Sequence, residues 1–227
     1  MLESTDVAGA VGVLACMTVS LAVHESAHAW TADRLGDPTG RQLGRVSLNP
    51  FVHLDLFLSV LLPLATYWAM GVPFGAAKPV PVNVSNLGRP RRDWMLVALA
   101  GPLSNLALAA LAAALWWALR ASGLIGADST LHWMFRLAVV LNVVLAMFNL
   151  IPIPTLDGSR VVGWLLPRRL AWRWYELDRA GFVIVLALLV LPHVVSGVDP
   201  LGWFVRGAVD PILGALHSAT GLPTQRS

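Results

Sequence analysis

Charge is what this chain has least of: 13% of its 227 residues are Asp, Glu, Lys or Arg, about half the roughly 25% of an ordinary soluble domain. Together with 56% hydrophobic residues and a mean hydropathy of +0.67, that scarcity excludes a plain soluble enzyme. Cysteine is nearly missing as well. Cys16 stands alone inside the first apolar run, so no internal disulfide can form and thiol usage says nothing about compartment. There is no basic block either: Lys78 is the only lysine, and the arginines are scattered through the loops, which argues against nucleic acid as a partner. Met1 to Asp6 lack the basic region of a cleavable signal peptide, so the first apolar stretch is expected to remain in the mature protein. The chain shows no internal repeat, no low-complexity tract and no stretch that reads as an appended soluble domain.

What it does have is apolar runs long enough for a hydrocarbon core of about 30 Å, which needs some 20 helical residues. Val7 to Trp30, Leu96 to Leu119, Leu131 to Leu150 and the shorter Phe182 to Val195 read as spanning helices. Leu54 to Met70 is ambiguous because it contains Pro63 and is flanked on both sides by basic loops, Arg34, Arg41 and Arg45 before it and Lys78, Arg89, Arg91 and Arg92 after it. A spanning helix should not join two positive loops. If the segment dips in and returns, or lies as a broken hairpin against the bundle, all the Arg-rich loops share the cytoplasmic face, with the N-terminus and the Arg120 to Thr130 connection outside. The expected fold is an all-α polytopic bundle of about four to six membrane segments with a short membrane-associated extended region. It forms a single domain, with a core over 7–160 and a C-terminal helix and tail over 161–227. Trp30, Trp68, Trp94, Trp116, Trp117, Trp133 and Trp203 fall near run edges, where indoles favour the interface. His53, His132, His193 and His217 also read as interfacial, and Pro200 to Leu216 as an amphipathic or partly inserted tail.

The decisive string is His24-Glu25-Ser26-Ala27-His28 at the end of the first run. Residues four apart lie about 40° apart around a helix, so His24 and His28 offer two imidazoles to one ion from one face. Glu25, roughly 100° round from His24, can reach a metal-activated water without being a ligand. With six His and three Glu in the chain, this pattern arises by chance in about 0.002 of shuffled sequences. Polar residues that merely meet water at a helix end would explain one histidine. Two histidines and one of only three glutamates at lipid depth are too costly to be idle.

A catalytic zinc site wants three protein ligands and one open position. Thr31 and Arg34 stand where a metzincin would place Gly and His, and Glu176 sits among Arg173, Asp178 and Arg179 in a polar stretch. Asp157 is the better candidate for the third ligand. Pro152 and Pro154 unwind the end of the third run, Gly158 permits a tight turn, and irregular backbone at membrane depth is tolerated where it lines a cavity.

From His24 to about Arg160 the sequence resembles the site-2 protease family of intramembrane zinc metalloproteases, in a short form without PDZ or cystathionine-synthase-type domains. The likeness runs through His24 to His28, Leu43 to Pro50, Ala77 to Asn83, Gly101 to Asn105 and Asn149 to Gly158, with Ser159 where many members have a second glycine. The resemblance implies one Zn2+ per chain held by His24, His28 and Asp157, with Glu25 as general base. It implies hydrolysis of a peptide bond in or near the transmembrane helix of a single-pass membrane-protein substrate, as in regulated intramembrane proteolysis, from a bacterial or archaeal cell membrane with the active site near the cytoplasmic face. Asn149, Asn105 and Lys78 are the candidate substrate contacts, and the Pro-rich Ala77 to Asn83 a candidate for binding substrate as an added strand. For Asn105, a role as glue between helices fits as well. The lipid bilayer is the other partner, and a regulatory membrane partner is left open. A divalent-metal transporter would spread ionisable residues over several depths, whereas here they gather at one, and an inactive scaffold would not keep the motifs intact.

Overall fold

The computed structural model describes residues 7–70, 75–126, 129–195 and 197–223, and the expectation made for Met1 to Asp6 and that for the His193 side chain lie outside what is described. Among the described residues there is no strand, and three helices are long and apolar enough to cross a membrane. Helix α1 is Val7–Arg34, α2 Leu62–Met70, α3 Pro90–Ala121, α4 Thr130–Asn149, α5 Gly158–Leu165, α6 Arg168–Glu176, α7 Asp178–Val194 and α8 Asp210–Thr220. The protein is an all-α polytopic membrane protein. The fourth expected span is α7, which begins four residues earlier than its apolar run and has 17 residues, about 25 Å at 1.5 Å per residue.

The chain forms two compact units, Met1–Ser104 and Asn105–Ser227, with α3 running from one into the other. In the first unit α1 continues one turn beyond Trp30, where the Arg34 guanidinium lies 5.1 Å from the Trp30 ring. The helix stops at Gly36, whose φ of +110° is open to glycine and strained for other residues. The ambiguous segment starts as a π-helical turn over Leu56–Leu61, capped by the Asp55 carboxylate accepting from the Phe57 and Leu58 amides, and passes into α2. The chain then comes back to its starting point. The Ala76 amide donates to the Leu58 carbonyl at 3.0 Å, and the Ser59 hydroxyl donates to the Ala76 carbonyl at 2.8 Å. Arg45 bridges the two flanks, donating to the Val52 carbonyl at 2.7 Å and to the Lys78 carbonyl at 3.4 Å. Both basic flanks therefore meet at one end of the hairpin.

His53 is buried rather than interfacial: its Nε2 pairs with the Ser47 carbonyl and its own carbonyl accepts the Lys78 amide. In the second unit, alanines 109, 112 and 113 let α3 pack closely with Val139 and Val143 of α4. Trp116 belongs to this core and not to an edge, its indole N–H donating to His132 Nδ1 at 3.0 Å. The expected tail is a helix seated on the same core through Val209 and Leu213, ended by Gly221 at φ +76°. His217 bonds the Leu222 carbonyl there.

Candidate active site

The imidazoles of His24 and His28 are buried on one face of α1, as 3.6-residue periodicity requires. Their rings meet edge to face with centroids 4.6 Å apart, and the two Nε2 atoms lie 3.0 Å from each other. Two nitrogens on one tetrahedral zinc, each about 2.0–2.1 Å from it, would sit about 3.3 Å apart. The pair as folded is within a few tenths of an ångström of that spacing, so these residues fit the metal. The tautomer is set by the neighbouring helix. His28 Nδ1 lies 2.7 Å from the Val97 carbonyl, an oxygen that can only accept, so Nδ1 carries the proton and Nε2 offers its lone pair.

Gly101 makes this approach possible. A Cβ at 101 would stand 2.4 Å from His28 Nε2 and 2.6 Å from His24 Cε1. The surfaces it lets together are α3 and the two imidazoles.

Glu25, a quarter turn round α1, accepts the Val80 amide on Oε2 at 3.0 Å. Pro79 and Pro81 have no N–H, so Val80 is the single backbone donor between them, and it is committed to Glu25. Small residues bring the two segments together: a Cβ at Gly40 would touch Ala29 at 3.2 Å and Val80 at 3.3 Å. The Pro-rich stretch is tied down on either side of Val80, by the Lys78 amide on the His53 carbonyl and by the Asn83 amide on Asp37. The Lys78 side chain is exposed, and only its backbone enters this arrangement.

Asp37 is fully buried and collects four donors, the Thr39 amide and hydroxyl, the Asn83 amide at 2.7 Å and the Asn86 side chain at 2.9 Å. Burial alone would push its carboxyl up, but the hydrogen bonds outweigh it and hold the group below the usual carboxylate range. A folded-state value below the unfolded one means that the stabilisation is complete above about pH 4 and is lost as the pH falls through the lowered value. Thermal unfolding followed from pH 6 downward is therefore expected to show an acid-side loss of stability that is blunted in Asp37→Asn. An identical acid profile in the variant would contradict this assignment.

In the second unit Asn105 is buried and its amide donates to Asn142 at 2.7 Å, which in turn donates to the Ala138 carbonyl. Asn149 closes α4 by donating back to the Leu145 carbonyl at 2.9 Å. Past Leu150 the two prolines break the helix into turns, and Asp157 stands immediately before α5, partly buried. Gly158 allows a close approach here: a Cβ would lie 2.2 Å from the Leu150 carbonyl oxygen. Glu176 ends α6 in an exposed position. Residue types alone do not reveal the individual roles of Val80, Gly101 and Asp178, the last of which bonds Thr155 and Arg160 on either side of Asp157.

Comparison with known proteins bears on this arrangement. The sequence model of peptidase family M50 matches residues 121–192. The chain is 39% identical over 179 residues to the provisionally named zinc metalloprotease YwhC of Bacillus subtilis (strain 168), covering 78% of each. It is 32% identical over 189 residues to a similarly named protein, Rip2 of Mycolicibacterium smegmatis, covering 79% of this chain and 67% of the relative. With Rip2 of Mycobacterium tuberculosis (strain H37Rv) it shares 38% identity over 200 residues, covering 86% and 70%. No solved structure matches the chain.

Proposed function

Because the chain belongs to peptidase family M50, the site-2 proteases, and is a membrane-integral zinc metalloprotease with Zn2+ as its cofactor, we propose that it cuts a peptide bond within or near the transmembrane helix of a single-pass membrane protein. The observation that carries this reading is the buried imidazole pair on an apolar helix with Glu25 beside it. The proposed ligands are His24, His28 and Asp157, two imidazoles and a carboxylate, a donor set suited to catalytic zinc with its fourth position open. Bound zinc supplies Lewis acidity, which polarises a peptide carbonyl and lowers the pKa of a water toward about 7.

The chain's own residues do the rest. His28 is held in its ligating tautomer by the Val97 carbonyl, and Glu25 is steadied through Oε2 by the Val80 amide. Glu25 Oε1 takes the proton of the attacking water and returns it to the leaving amine. The substrate helix must unwind first, since a helical peptide hides its carbonyls in hydrogen bonds. The extended segment around Val80 is the proposed guide for the unwound strand, with Asn149 as a further contact, whereas Asn105, fully buried and bonded to Asn142, acts as glue between α3 and α4. In a regulated pathway this would be the membrane-embedded cut. The basic flanks joined by Arg45 favour placing this end of the molecule at the cytoplasmic face of a bacterial or archaeal membrane.

Two experiments test the proposal. Zinc-loaded protein in liposomes is expected to cleave a co-reconstituted single-pass helix and to leave a soluble unfolded polypeptide of the same scissile sequence intact. Equal cleavage of both would refute the membrane substrate. For topology, cysteines placed at Lys78, Arg92 and Arg168 in a Cys16→Ala background should label from the side opposite to one at Gly126, and labelling of positions 78 and 126 from the same side would overturn the assigned face.

A further inference from the structure

We infer that Asp178, at the start of α7, is a positioning residue for the zinc ligand Asp157, an inference that rests on the ligand set proposed above. Its carboxylate straddles Asp157 in the chain. Oδ1 accepts the Thr155 amide at 3.1 Å, and Oδ2 accepts the Arg160 guanidinium at 2.6 Å. The ion pair is partly buried, its side chains 17% and 27% exposed, which lessens its screening by solvent. Thr155 needs this support, because it holds a φ of +76°, a left-handed conformation that a β-branched residue seldom adopts unless its surroundings impose it.

Neighbouring side chains complete the clamp. Trp174 donates its indole N–H to the Ser159 carbonyl at 2.9 Å, and the Arg160 guanidinium lies 5.5 Å from the Tyr175 ring centroid. Gly181 allows α7 to lie against the loop, since a Cβ there would come within 2.2 Å of the Pro154 carbonyl oxygen. The ligand loop is thus fixed on both sides of Asp157 by residues of α6 and α7. The C-terminal helices consequently set where the carboxylate stands, and Asp178 is the group that joins the two sides.

Zinc affinity of the purified full chain in detergent, measured by competition with a chromophoric chelator, tests this without using turnover. Asp178→Ala is expected to weaken zinc binding about tenfold to a hundredfold, as loss of a ligand's supporting bonds does, while helical content is kept. Asp178→Asn retains an oxygen for the Thr155 amide and should lose less. Adding Thr155→Gly to Asp178→Ala should recover part of the affinity, because glycine occupies positive φ without a clamp. A merely structural role of Asp178 in starting α7 would not respond to a glycine at 155. If Asp178→Ala and Asp178→Asn bind zinc as tightly as the parent while Asp157→Ala loses it, Asp178 does not position the ligand. The same holds if Thr155→Gly recovers nothing. If Asp157→Ala itself keeps parental affinity, the ligand assignment fails instead.

Discussion

Glu25→Gln is expected to reduce peptide hydrolysis to background, about a thousandfold or more below the parent, with zinc content unchanged. The amide matches the carboxylate in size and still offers an oxygen to the Val80 amide, so the local structure that Glu25 shares with the Pro-rich segment survives. What is lost is the capacity to take a proton from the attacking water and hand it to the leaving amine. Because Glu25 is not among the proposed ligands, metal and activity should separate in this variant, whereas His24→Ala and His28→Ala should lose both. Turnover near the parental rate in zinc-loaded Glu25→Gln would remove Glu25 from the mechanism.

The second large effect is expected at Gly101, where no chemistry takes place. Its missing side chain leaves the room the imidazoles occupy, and a methyl group there would overlap His28 Nε2 at 2.4 Å. A ring tip can usually swing away from such a clash. Here it is anchored, because His28 Nδ1 is bonded to the Val97 carbonyl, one turn earlier on the same helix that carries Gly101. Relief must either break that bond or push α1 and α3 apart, and a displacement near 1 Å costs about a hundredfold in rate. Gly101→Ala should therefore weaken zinc binding and lower activity about a hundredfold or more. Gly214→Ala is the matched control, since nothing lies within 4 Å of a Cβ at that helical glycine. Equal zinc affinity and activity in Gly101→Ala and Gly214→Ala would show that the close approach is not needed.

Much of this protein is legible in its sequence because the relevant periods are local. The pairing of His24 with His28 follows from helical spacing alone, and the long apolar helices follow from run length, with ends displaced where polar residues extend them. Helix α1 runs on to Arg34 because nothing before Gly36 stops it, and α7 begins at Asp178 because that carboxylate suits a helix start and is engaged by Thr155 and Arg160. The prolines that break the chain after Asn149 were equally plain.

What stayed hidden depends on partners far along the chain. The Val97 carbonyl is 69 residues from His28, and the Val80 amide is 55 residues from Glu25. Backbone groups carry no sequence signature, so neither contact could be read from residue types. The purpose of Gly101 and Gly158 is visible only when the opposing imidazoles and the Leu150 carbonyl are in place. His53 and Trp116 were misplaced at interfaces for a related reason: hydropathy sees a polar or aromatic residue near a run edge, and cannot see the carbonyl or histidine that accepts its hydrogen bond inside.

X-ray absorption at the zinc edge of the purified, zinc-loaded protein bears most directly on the site. Two imidazoles and oxygen donors at about 2.0–2.2 Å, with no sulfur, are expected for the parent. The signal should be lost in His24→Ala, which is expected to lose the metal. A coordination sphere without paired imidazoles, or one unchanged by His24→Ala, would contradict a zinc centre built on His24 and His28.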